Sequence, residues 1–289
     1  MRRAAVAFRT TLALVLLLFG GLAAAQQPDQ PGIQDNSFLV EEAYNQEEGV
    51  VQHIQTFQRG DDGDWVATFT QEWPVPRQTH QLSYTLSAAR RAGGAGTGLG
   101  DLLLNYRYQL LGDSKARVAV APRLSVLLPT GSYKAERGAG GAGLQTLWPI
   151  SVVLSPYLVA HGNVGATWIP SARDSRGARA RTLSYNFGTS VIWLASPRVN
   201  LLTEAVWSRN EVVEGPDRTR HEDDFFINPG ARVAFNFRDG LQIVPGFSAP
   251  LGVGPSRGRW SIFLYLSFEH PLWGARSPRP QKAPKRLPL

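Results

Sequence analysis

The sequence predicts an all-β fold, an antiparallel up-and-down transmembrane β-barrel of about 12 strands. Three observations predict it. Segments near the length a tilted transmembrane strand needs alternate apolar and polar side chains along most of the chain. The connections between them alternate long and short. Beyond Leu22 no apolar run reaches helix-spanning length, so a membrane-embedded chain would have to close its backbone hydrogen bonds as a barrel.

The chain opens with Arg2, Arg3 and Arg9 around an apolar run from Thr11 to Leu22, followed by Ala23, Ala24 and Ala25. This is the pattern of a secretory signal peptide over residues 1–25, and the run is too short to span a bilayer. Residues 26–48 have no period and are expected as a periplasmic segment ahead of a barrel at 49–273. No Cys is present, which fits an exported chain without disulfides.

Twelve strands are expected at about 50–58, 65–73, 78–89, 99–110, 117–128, 144–154, 157–169, 182–194, 199–212, 224–237, 241–251 and 259–271. The fifth shows the pattern well. Val118, Val120, Leu124 and Val126 share one face, while Ala119, Ala121, Arg123 and Ser125 share the other. In the last, Trp260, Ile262, Leu264, Leu266 and Phe268 stand opposite Ser261, Phe263, Tyr265, Ser267 and Glu269. Between strands, long RRAGGAGTG, TGSYKAERGAGGA, PSARDSRGARA and VEGPDRTRHED alternate with brief turns such as GDSKA, Ser155-Pro156 and Arg238-Asp239-Gly240. With the long loops outside, both termini fall on the periplasmic side of a bacterial outer membrane. Trp73, Trp148, Trp168, Trp193, Trp207, Trp260 and Trp273 sit near strand ends, as interfacial girdles against outer-membrane lipids require. Pro122, Pro229 and Pro245 oppose the assignment, because each removes a donor from the ladder unless a bulge or strand end absorbs it.

Charge excludes one function class. The chain has 30 Lys and Arg against 23 Asp and Glu. Three of the basic residues lie in the leader and five in the Pro-rich tail 274–289 (Arg276, Arg279, Lys282, Lys285, Arg286), which leaves a nearly neutral body. The high isoelectric point therefore reflects the two ends, and no nucleic-acid surface is expected. The tail itself is expected to be disordered.

Two short motifs then carry a resemblance. GLGD (98–101) leads into one strand and LPTG (128–131) leaves the next, within TGLGDLLLNYRYQLL and APRLSVLLPTGSY. A Gly-rich loop, LWPISVVLS and HGNVGATW follow in order. In that order the motifs resemble the bacterial outer-membrane family of the MetA pathway of phenol degradation, over roughly residues 40–272. The resemblance implies a channel or transporter barrel, linked in some members to aromatic compounds, and implies no catalytic residue. The glycine stretches are expected as flexible outer loops rather than phosphate cradles, since period-two strands follow them. Asp101, on the inward parity, is expected to meet an internal Arg or solvent.

Assigning parity strand by strand puts Glu72, Arg107, Arg123, His161, Glu204, Arg232 and Glu269 on the lumen face, with Asn105, Gln109, Asn163, Asn186, Asn228 and Asn236. Arg107 and Arg123, on neighbouring strands, make a local basic patch. The expected function is passage of small solutes, hydrophobic or aromatic ones among them, through a polar lumen. The alternative is a plugged or structural barrel, with a barrel-embedded hydrolase behind it. None of the five His lies in a nucleophile motif, and consecutive His221, Glu222, Asp223 and Asp224 suit a solvated loop better than a metal. No cofactor is expected.

Overall fold

A computed structural model describes residues 37–272, apart from 95, 114, 238 and 239. The expected leader, the tail and Trp273 lie outside the described residues. The chain forms a closed antiparallel barrel of twelve strands, each hydrogen-bonded to its neighbours in sequence. In order they are Val50–Gly60, Trp65–Pro74, His80–Arg90, Thr97–Leu99 continued by Leu102–Tyr108, Val118–Val120 continued by Arg123–Leu128, and Gly143–Ser155. There follow Leu158–Arg173, Arg179–Ser196, Val199–Gly215, Arg218–Val233 with Phe235–Asn236, Gln242–Ser248 with Leu251–Gly252, and Ser261–Pro271. The first strand pairs with the last from Val50↔Pro271 to Gly60↔Ser261, which closes the sheet and leaves no edge.

The alternation has the consequence that parity dictates. Leu124 and Val126 are exposed on the outer face while Ser125, between them, is buried. In the last strand Ile262 and Leu264 are exposed, and Ser261, Phe263, Tyr265 and Ser267 are buried. Trp148, Trp168 and Trp260 also stand outward and exposed.

Two long loops expected at 170–180 and 213–223 are mostly strand. The ladder of the seventh and eighth strands runs on to Arg173↔Arg179, and that of the ninth and tenth to Gly215↔Arg218. In the second of these extensions Arg209 pairs across the strands with Asp223 at 2.8 Å, and Arg220 pairs along its own strand with Glu222 at 2.5 Å. The 213–223 hairpin is largely exposed, and at 170–180 only the small Ala172 and Ala180 are buried, so neither carries an apolar period and both read as loop in the sequence.

The prolines gather at two seams. Pro122 occupies the break in the fifth strand, where Ala121 donates to the Pro149 carbonyl across the gap at 3.2 Å. Pro229 faces the break in the eleventh strand, and Ala249 donates to its carbonyl at 3.1 Å. Pro245 falls just beyond the last registered pair of that seam, Arg232↔Gly246. Each missing donor thus sits where the ladder is already interrupted, as a closed sheet with internal prolines requires.

The main departure concerns the segment ahead of the barrel. Residues 26–48 are expected as a periplasmic segment; 26–36 lie outside the described residues, and Ser37, Phe38, Val40, Glu42, Ala43, Tyr44, Asn45 and Gln46 are all buried against the inward side chains of most strands. The segment runs through the lumen without regular structure of its own. Buried backbone needs partners, and here the wall's polar side chains supply them.

Candidate functional site

The lumen wall grips residues 37–46 through side chains from many strands. Glu204 accepts the N–H groups of three consecutive residues, Phe38 and Leu39 at 2.9 Å and Val40 at 3.0 Å, and its other oxygen accepts Asn228 Nδ2 at 2.6 Å. Three adjacent amides converging on one carboxylate form an anion nest turned inside out, with the wall providing the anion. Asn163 mimics a ladder, accepting from Glu41 N at 2.7 Å and donating to Glu41 O at 2.8 Å. Gln109 does the same for two residues, accepting from Asn45 N and donating to Ala43 O.

Glu41 is clamped between two cations. Arg107 Nη2 lies 2.6 Å from one carboxylate oxygen and Arg123 Nη1 2.8 Å from the other. Arg107 and Arg123, expected as a basic patch, thus meet on the carboxylate of a residue of the same chain. The guanidiniums are further fixed by the Tyr44 carbonyl and by Gln145.

The other candidates surround the same segment. His161 Nδ1 and Ser151 Oγ are hydrogen-bonded at 2.7 Å, while Ser151 Oγ accepts the Ala43 N–H at 2.7 Å and Tyr44 lies edge-on to the imidazole. Glu72 accepts from Gln81 at 2.7 Å, and Gln81 Oε1 in turn accepts the Gln46 N–H. Glu269 receives Gln46 Nε2 at 3.4 Å, and Arg232 is buried under Gly246 and Phe38. Asn105 bonds Ser83 within the wall, and Asn186 is half-buried. Asn236 departs from its expected place: it is exposed at a strand end, where Gln242 donates to it.

Sequence reasoning missed the contribution of glycine. Phe38 packs on Phe263 and Tyr265, with ring centroids 5.8 and 5.4 Å away. A Cβ on Gly230 or Gly246 would stand 2.5 Å from the Phe38 ring, and one on Gly188 would stand 2.9 Å from Val40. Bare backbone at these inward positions makes room for the segment. Inward-parity glycines in otherwise bulky strands are the signal that was available.

Above the segment, on the side of the long loops, a cavity of ≈ 1030 Å³ remains, lined by Gln58, Ser87, Tyr133, Arg137, Arg173 and Glu211 among others. The Gly-rich loop 129–142 forms part of its wall and is tightly packed, contrary to the flexible role expected for it. Asp101 holds it: Oδ1 accepts Gly131 N–H at 2.9 Å and Oδ2 accepts Ala139 N–H at 2.7 Å. The expected partner of Asp101, an Arg or solvent, is therefore replaced by two backbone amides. A Cβ on Gly131 would lie 2.5 Å from the Arg137 carbonyl, while one on Gly138 would run into Asp101 Oδ1 and one on Gly141 into the Ser171 carbonyl. GLGD and LPTG are thus two halves of one clasp.

Hydrogen bonds to a charged acceptor contribute about 1.5–3 kcal/mol each, so Asp101→Ala should release the loop. Trypsin should then cut after Arg137 many times faster than in the parent. Asp101→Asn should be nearly as damaging, because its amide presents one acceptor and sets an NH2 against the second N–H. Parental cleavage rates in both variants would show that the clasp does not hold the loop.

Among the described residues no three His, Cys, Asp or Glu side chains group as a metal ion would need. Asp223 and Asp224, beside His221, bind Arg209 and Arg259 instead.

A family model described as MetA-pathway of phenol degradation matches residues 28–270. Among solved structures, the COG4313 outer membrane channel from Pseudomonas putida F1 has a TM-score of 0.60 at 15% identity, over 79% of this chain and 97% of that one. The NanC porin has a TM-score of 0.51 at 11% identity, over 75% and 98%. No curated protein matches the chain.

Proposed function

Since the chain belongs to the family of the MetA pathway of phenol degradation, we propose that it is a bacterial outer-membrane channel whose lumen is stoppered by its own residues 37–46 and which passes small solutes, aromatic ones among them. The observation that carries this reading is the way the lumen is filled. Wall side chains alone do not fill it; an irregular segment does, held by side-chain hydrogen bonds and one ion-pair clamp that can be exchanged for water or solute. A barrel built only for structure has no need of a removable filling. The apolar outer face supports membrane insertion: Leu82, Leu86, Leu104, Leu124, Val126, Phe187, Val191 and Phe247 are all exposed. A band this apolar is a liability in water and is suited to lipid. In this reading the long loops face outward and the termini lie in the periplasm, after removal of a leader over 1–25.

The chemistry of the lumen supports transport over catalysis. Ser151 and His161 are hydrogen-bonded, but the Ser hydroxyl is committed to the Ala43 amide and the pair is buried under the segment.

Single-channel recording of the refolded protein in a planar bilayer tests the reading. Small, discrete openings are expected, and millimolar benzoate should reduce their amplitude or open time. A folded barrel that never conducts, at any voltage short of membrane rupture, would favour a structural role.

A further inference from the structure

We infer that the cavity above residues 37–46 is a binding site for small organic carboxylates, with Arg173 as the group that takes the carboxylate and Tyr133 as the platform that orients it. The inference rests on the channel reading for its purpose, but the site is defined by its own geometry.

Most charged side chains lining the cavity are matched. Arg91 pairs with Asp64 at 2.7 Å, Arg176 with Asp174 at 3.1 Å and Arg220 with Glu222 at 2.5 Å. Glu211 accepts the Leu183 N–H and the Thr219 hydroxyl, and Arg137 donates to the Gly96 carbonyl. Arg173 differs from all of these. Among the described residues its guanidinium has no carboxylate or carbonyl acceptor; its Nε, like that of Arg137, is buried without a hydrogen bond. A guanidinium whose accessible N–H groups find no protein acceptor is completed by water or by a ligand in the cavity.

The guanidinium is nonetheless held in place. Its carbon lies 5.2 Å over the Tyr133 ring, its own backbone N–H donates to Ala139 O at 2.8 Å, and the bare Cα of Gly140 makes room for its stem. A guanidinium carries its N–H groups in its own plane, at its edge. That edge matches a carboxylate in the two-point manner. Tyr133 is set by the short 3-10 turn Tyr133–Ala135 in the loop clasped by Asp101, so the platform and the charge are both preorganised. At ≈ 1030 Å³ the cavity is large enough for one ring or two beside the carboxylate.

The test is equilibrium dialysis of radiolabelled benzoate against the refolded full-length barrel, with inorganic phosphate, benzyl alcohol and benzylamine as competitors. Benzoate should bind, and benzyl alcohol and benzylamine should compete at least about tenfold less well, because only an oxyanion completes the guanidinium edge. Phosphate competing as well as unlabelled benzoate would show a plain anion site with no use for the ring, and would overturn the assignment to organic carboxylates. Arg173→Gln should weaken binding by about tenfold or more. Tyr133→Leu, which keeps the charge, should weaken it by a smaller factor. Arg91→Gln serves as the comparison: a loss equal to that of Arg173→Gln would reveal a diffuse positive field and sink the proposal. Conductance recorded on the same preparations separates the two readings. Conducting channels whose benzoate affinity is indifferent to Arg173→Gln would leave the channel and remove the site; silent barrels that lose benzoate with Arg173 would do the reverse.

Discussion

A variant lacking Ser37–Gln46 should pass several-fold more current per channel than the full barrel, and should prefer anions where the parent does not. The wall is closed by its own ladders, from the first strand through the twelfth and back, so the barrel should persist without the segment. What disappears is the filling of the lumen and the carboxylates of Glu41 and Glu42. Arg107 and Arg123 then face water without their counter-ion, and two cations on neighbouring strands attract anions. In a salt gradient the reversal potential of the shortened barrel should shift toward the anion. Adding Arg107→Ala and Arg123→Ala to it should abolish that shift.

In the full chain the same double substitution has a different expected result. It strands Glu41 in the lumen, at a cost of as much as ~3 kcal/mol, since removing one side of a buried pair leaves the other uncompensated. The segment is thereby loosened and conductance should rise. Gly246→Val offers a route that leaves every charge in place, because its side chain would collide with the Phe38 ring. If the shortened variant, the double substitution and Gly246→Val all conduct like the parent, the segment is not what limits the current.

The second large effect is expected at Glu204. Replacing it with Ala removes the acceptor for three consecutive amides and for Asn228 at once. A buried amide left without an acceptor costs about 1–3 kcal/mol, so hydrogen exchange at Phe38–Val40 should accelerate by on the order of a hundredfold. Glu204→Gln retains one oxygen and should lie between. Protection at Asn45 and Gln46, held by Gln109 and Gln81 at the other end of the segment, should change less. Unchanged exchange at 38–40 in Glu204→Ala would mean that the segment is held by packing alone.

Much of this molecule is legible in its amino-acid order. The expected twelve strands and the observed ones agree to within a few residues at most ends. The exposed side chains of the fifth and twelfth strands, Leu124, Val126, Ile262 and Leu264, belong to the faces their parity marks. Where the period fails, at 170–180 and 213–223, the strands bury only small residues such as Ala172 and Ala180 or are largely exposed and carry charge pairs such as Arg209 with Asp223. A two-residue period is local information, carried by the alternation of faces along one extended chain. The inward positions of Arg107, Arg123, His161 and Glu204 follow from the same rule.

What each inward residue meets is another matter. Parity states that Glu204 and Arg107 point inside, and says nothing of what lies opposite them. Glu204 binds a segment more than 160 positions earlier in the chain, and Gln46 reaches Glu269 across a separation of 223. Residues 37–46 have no period, because their partners are side chains converging from many strands rather than one neighbouring ladder. The Asp101 clasp is hidden for a related reason: it joins two loops through backbone amides, which every residue but proline possesses and which leave no mark in composition. The strands, their two faces and the closure of the barrel follow from the order of residues along the chain. That the lumen is filled by the chain's own residues emerges only when the strands are assembled, because it depends on distances across the barrel, and no pattern along a strand encodes them.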